Sequence, residues 1–162
     1  MKHKRIAVMA ALLLLLSFPA SASLVSFLLI ETGLSEGAPS TQYASLWESG
    51  LMAVFFDAGH IVTNSPIARM EKKPASDFSG FIETDFREAT EGGAEYFVLG
   101  YLEFQNLGSG VSLSGITIKL YSVDWQELIF ERHFTAGRVN LNEEYQSALN
   151  AGRIVISHIR DR

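Results

Sequence analysis

The sequence predicts an α+β domain of the α/β-sandwich kind, a mixed β-sheet with helices packed on it, in the order β-α-β-α-β-β-β-α. Three observations predict it. Apolar residues recur at three- and four-residue steps in three separate stretches, the mark of helices with one buried face. Runs rich in Val, Leu, Ile, Phe and Tyr, bounded by Gly, Pro or Asn, lie between and around those stretches. The last three such runs follow one another with only turn-length connections, which fits an antiparallel meander.

Taken in order, Leu24–Glu31 (LVSFLLIE) is too short for a helix of its own and reads as a buried strand. Thr32–Ser40 (TGLSEGAPS) is a polar loop, longer than a β-α connection needs. Ser40 or Thr41 then caps a helix that runs to about Ala58, with Tyr43, Trp47, Leu51, Val54 or Phe55, and Ala58 on one face. Gly59 supplies a left-handed C-cap. His60–Ala68 (HIVTNSPIA) is a strand, and Pro66, which has no amide hydrogen, places it at an edge or ends it. After the charged loop Arg69–Ala75, Ser76 or Asp77 is expected to cap a second helix with Phe78, Ile82, Phe86 and Ala89 on one face, ending at Gly92-Gly93. Ala94–Phe104 (AEYFVLGYLEF) is apolar or aromatic on both alternating sets, so it reads as a central strand covered on both sides. Val111–Val123 follows a Gly-rich turn. Glu127–Phe134 returns with Leu128, Phe130 and Phe134 on one face and Glu127, Glu131 and His133 on the other. Asn140 opens the last helix, with Glu143 three residues on, and Leu141, Tyr145, Leu149, Gly152, Val155 or Ile156, and Ile159 form its expected buried stripe. One domain, 23–162, accounts for all of this.

The N-terminal segment bears on compartment. Lys2, Lys4 and Arg5 precede the mostly apolar run Ile6–Phe18, and Pro19-Ala20-Ser21-Ala22 supplies small residues at A-x-A spacing. That is the order of a secretory signal peptide over 1–22, with cleavage expected after Ala22 and a mature chain in the periplasm. The stretch Ile6–Ile30 carries no formal charge over 25 residues, long enough to span a bilayer, so the membrane enters the expectation only where the segment stays uncleaved. Removing 1–22 leaves 140 residues with ten Lys+Arg against 18 Asp+Glu, a formal charge of −8. Clustered Lys and Arg are what phosphate backbones require, so a nucleic-acid partner is not expected. The chain has no cysteine, which excludes disulfides, thiolate catalysis, Cys-ligated zinc and lipid attachment through a cysteine.

Three stretches resemble a group of envelope domains. Leu46–Val62 (LWESGLMAVFFDAGHIV) leads an apolar helix through Gly59 straight into a strand. Gly93–Gly100 (GAEYFVLG) is similar to a G-A-D-Y-[VI]-x-x-G entry into a central strand, and Ile116–Phe130 (ITIKLYSVDWQELIF) to a meander in which x-L-x-L-x-D leads into G-x-[IV]-x-W. In these respects the chain resembles the small α/β domain of the curli secretion protein CsgG, the penicillin-binding-protein activator LpoB and the N-terminal domain of TolB. The resemblance covers most of residues 43–134 and implies a non-enzymatic, exported domain that docks on other envelope proteins. Its matching positions are core and turn residues, so it implies no functional residue.

The residues themselves carry little chemistry. His60, His133 and His158 sit on different elements, whereas a metal site needs convergent ligands. Gly108-Ser109-Gly110 lies between two strands, not between a strand and a helix as a nucleophile elbow or phosphate loop would. Glu83, Asp85, Glu88, Glu91, Glu95 and Glu103 are the densest carboxylates, most of them on the polar side of the second helix. The i,i+3 like-charge pair Asp85 and Glu88 favours a basic partner there. No catalytic residue, cofactor or metal site is expected. Trp47 fits the core stripe of its helix, whereas Trp125 sits in a tight strand connection. Tyr121, Trp125 and Glu127 therefore form the candidate contact patch of an adaptor that docks on an envelope protein complex. A second reading is a small-molecule or lipid carrier whose pocket is lined by Phe55, Phe56, Phe78, Phe81, Phe86, Phe97 and Tyr101.

Overall fold

A computed structural model of the chain describes residues 22–34, 42–106, 111–138 and 140–159. Residues 1–21 of the expected signal segment, the proposed caps Ser40 and Thr41, and Gly108–Gly110 lie outside the described residues. The described elements are β1 (Leu24–Thr32), α1 (Gln42–Asp57), β2 (Ile61–Asn64), β3 (Ala68–Met70), α2 (Phe81–Glu91), β4 (Tyr96–Asn106), β5 (Val111–Ser122), β6 (Glu127–Thr135) and α3 (Leu141–Ile156). They form one mixed sheet in the order β2-β1-β4-β5-β6, with β3 also on β1. β2, β3 and β4 run parallel to β1, and β4, β5 and β6 form the antiparallel meander.

β1 and β4 lie side by side inside the sheet, and their alternating side chains feed two cores. Val25, Phe27, Leu29, Tyr96, Val98, Leu102 and Phe104 pack under α1 and α3. Leu28, Ile30, Phe97, Leu99 and Tyr101 pack under α2 on the opposite face. The result is three layers, two helices over one face and one helix over the other. The expected second strand is split into β2 and β3. The break falls at Ser65, Pro66 and Ile67, where the missing amide hydrogen of Pro66 interrupts the edge ladder.

α1 and α3 approach closely because small residues meet. A Cβ added at Gly50 would lie 2.6 Å from the Cβ of Ala148, and one added at Gly152 would lie 3.1 Å from Val54. Trp47 is fully buried in this interface, and its indole nitrogen donates to Glu144 Oε1 at 2.6 Å. The backbone N–H of Arg138 donates to the other oxygen at 2.6 Å, so a carboxylate with 0% exposure is satisfied on both sides. This corrects the stripe expected for α3. Glu144, Ala148, Ala151, Gly152 and Val155 face the core, while Leu141 is exposed. The Asn140 cap is present, its side chain accepting from the Asn142 N–H at 2.9 Å, and α1 ends at Gly59 with φ +90°.

Two further expectations are corrected. α2 starts at Phe81 behind Gly80, which makes no side-chain cap bond, because Asp77 is bonded elsewhere. A register shift between Leu120 and Tyr121 pairs Phe130 with Leu120 but Leu128 with Tyr121. The bulge therefore moves Leu128 off the face of Phe130 and Phe134, and Leu128 is exposed.

Substituting Gly50→Val should force α1 and α3 apart and lower the unfolding free energy by about 1–3 kcal/mol. At the exposed neighbour, Ser49→Val should change it by less than about 0.5 kcal/mol. Urea denaturation of both variants checks this.

Candidate functional site

The polar groups of the α2 face converge on Asp77, in the segment that joins β3 to α2. Oδ1 accepts from the Tyr101 hydroxyl at 2.8 Å. Oδ2 accepts from Lys119 Nζ at 2.6 Å and from the Tyr121 hydroxyl. Lys119 also reaches Glu131 at 3.4 Å, and Lys73 lies over the Tyr101 ring at 4.8 Å. Phe78, next in sequence, packs edge-on against both Phe86 and Tyr121. The segment is thus fastened across β4 and β5 by one carboxylate and one ring.

Burial would push the Asp77 carboxyl up. The hydrogen bonds from Lys119, Tyr121 and Tyr101 and the Lys119 charge outweigh it and hold the group below the usual carboxylate value of 3.8. Burial likewise pulls Lys119 down, but the bond to Asp77 and the charges of Asp77 and Glu131 leave it raised above 10.5. Burial and the Asp77 bond push both tyrosines well above 10.0. At neutral pH the cluster is therefore one anion, one cation and two neutral phenols, each paired. A general base or acid needs a pKa near the working pH. The cluster is arranged against proton transfer and for fastening.

The sequence-derived candidates separate. Tyr121 is 4% exposed and belongs to the Asp77 cluster. Trp125 and Glu127 are exposed on the β5–β6 connection, Trp125 at 69%, with exposed Leu128 beside them. Gln126 closes that connection at φ 50°, its N–H donating to Val123 O at 3.3 Å. The histidines stay apart. His60 Nδ1 is buried and unbonded, His133 Nδ1 lies 3.9 Å from Glu103 Oε1, and His158 packs on Phe130. Among the described residues no three His, Asp or Glu are grouped to hold a metal. The seven aromatics proposed as a pocket lining do not all share one face. Phe55 packs under α1, Phe86, Phe97 and Tyr101 lie under α2 on the opposite face, and Phe56 is exposed. Of the carboxylates, Glu83 and Glu91 are exposed on α2, while Asp85 and Glu88 border a groove of about 190 Å³ between α2 and the β1–β2 edge. The Asp77 cluster was signalled by Lys119, a cation in the apolar run Ile116–Val123 that needs a buried anion as its partner.

No protein-family model matches the chain, and no curated protein is significantly similar to it. Among solved structures it is similar to a PelC variant dodecamer from Paraburkholderia phytofirmans, 18% identical over 88% of this chain and 92% of that chain, with a TM-score of 0.50. The LpoB C-terminal domain from Salmonella enterica is 13% identical over 79% and 92%, with a TM-score of 0.47. TolB from Acinetobacter baumannii is 15% identical over 86% of this chain and 28% of that one, with a TM-score of 0.40. At these identities the likeness is one of fold.

Because Asp77 titrates lower in the folded than in the unfolded chain, its contribution to stability is present above the unfolded value and disappears as pH falls through the folded one. Asp77→Asn should cost about 2 kcal/mol or more at pH 7. The gap to wild type should narrow as pH falls below 3.8. Unfolding midpoints from pH 7 to pH 2 measure it.

Proposed function

We propose that the chain is a non-enzymatic domain exported to the periplasm, which docks on a protein complex of the cell envelope through the β5–β6 connection. The observation that carries this reading is the contrast between the two polar or aromatic features of the sheet. The Asp77 cluster is consumed internally, while Trp125, the residue type most enriched at binding hot spots, stands 69% exposed on a connection anchored from below. The anchoring is specific. The Val123 N–H donates to Glu95 O at 2.9 Å, and Tyr121 is fixed by Asp77 and Phe78. A rigid base beneath an exposed indole lowers the ordering cost of binding. Export is supported by the charge and apolar order of residues 1–22. Among the described residues no helix is long and apolar enough to cross a membrane. In the patch Tyr121, Trp125 and Glu127, Tyr121 acts as the support, and Trp125 and Glu127, with Leu128, present the contact surface.

Crosslinking of the tagged full-length chain in the native cell envelope, followed by mass spectrometry, tests this. A reproducible protein neighbour is expected, and Trp125→Ala should remove it while leaving the unfolding free energy within about 0.5 kcal/mol of wild type. The same neighbour at the same yield with Trp125→Ala, or none with wild type, contradicts the reading.

A further inference from the structure

A groove between α2 and the β1–β2 edge is lined by hydroxyls and carboxylates. Leu24 and Ala89 line it together with Ser26, Thr63, Asp85 and Glu88. Ser26 is 7% exposed and lies on the β1 face that carries Leu28 and Ile30 towards α2. Its hydroxyl bonds to no other group among the described residues. With the rest of Ser26 buried, that hydroxyl opens on the groove, where a group that enters can bond to it. Asp85 is half-buried and makes no ion pair among the described residues. Asp85 and Glu88 repel at i,i+3, and Glu88 and Glu91 stand at the C-terminal end of α2, where the helix dipole disfavours anions and no basic residue occupies the last turn. Each of these costs falls when a positive charge binds.

We propose that this groove binds the ammonium or guanidinium head of a lysine or arginine side chain presented by the docking partner, with the aliphatic stem on Leu24 and Ala89. A volume of about 190 Å³ suits such a head and part of its stem. The partner is a polypeptide because the groove and the Trp125 connection share one end of the sheet. Register puts Val25 beside Tyr96 and Tyr96 beside Ser122, and the Val123 N–H bonds to Glu95 O. Strands are spaced by roughly 4.8 Å, so the two features lie within reach of one extended surface. The inference rests on the docking reading proposed above.

The test titrates the ¹⁵N-labelled full chain with N-acetyl-arginine methylamide and, separately, with its uncharged norleucine analogue, followed by NMR. Saturable shifts are expected at Ser26, Thr63, Asp85 and Glu88 with the arginine compound alone. The double variant Asp85→Asn, Glu88→Gln should weaken binding about tenfold while the melting temperature is kept or slightly raised, because it removes the like-charge repulsion. No saturable shift at those amides, or equal shifts with norleucine, overturns the proposal. The crosslinking experiment separates the two readings. If the neighbour is lost with Trp125→Ala but kept with the double variant, the groove's role falls and the docking reading stands.

Discussion

The parallel pairing of β1 with β4 is the constraint on which the rest depends. Both strands are apolar on both faces, so the pair can exist only with cover on both sides. The two covers are made differently. On one side α1 and α3 meet through Gly50, Ala148 and Gly152, close enough to form a single lid. On the other side α2 is only 11 residues long and leaves part of β4 and β5 for the segment before it. That segment is hydrophilic, and Asp77 and Phe78 are what allow it to lie there.

Each lid holds one bonded carboxylate, Glu144 fully buried and Asp77 partly so. Glu144 ties Trp47 of α1 to the backbone ahead of α3, and Asp77 ties the approach to α2 to Tyr101, Lys119 and Tyr121. A buried charge without partners would cost several kcal/mol, so each carboxylate selects the one arrangement in which its donors converge. Apolar contact alone would tolerate sliding of helix on sheet, whereas these bonds fix position. Their fixed geometry also explains why the β5–β6 connection can hold an indole outward, since Tyr121 at its base cannot move without breaking the Asp77 cluster.

The backbone plan was legible because it is written in local pattern. The doubly apolar run Ala94–Phe104, the break at Pro66, the stop at Gly59 and the cap at Asn140 all act through neighbouring residues. What could not be read depends on distant partners. Asp77 carries every local sign of an N-cap, and only the fold reveals that its three donors lie 24 to 44 residues away. Glu144 looks like a first-turn carboxylate favoured by the dipole until Trp47 arrives from 97 residues earlier. Leu128 changes face through a one-residue bulge that leaves no sequence signature. Of the candidate patch, the exposure of Trp125 and Glu127 was legible from their place in a tight connection. The burial of Tyr121 was not, because alternation alone does not say which face a loop will cover.

The docking surface proposed above joins an exposed indole on a rigid support to an acidic groove at the same end of the sheet. The most direct measurement places a benzoylphenylalanine photocrosslinker at position 125 of the full-length chain in living cells, with position 153 on the exposed side of α3 as the comparison. Docking through the β5–β6 connection predicts a discrete protein adduct from position 125 and none from position 153. Adducts of equal yield from both positions, or none from position 125, would contradict it.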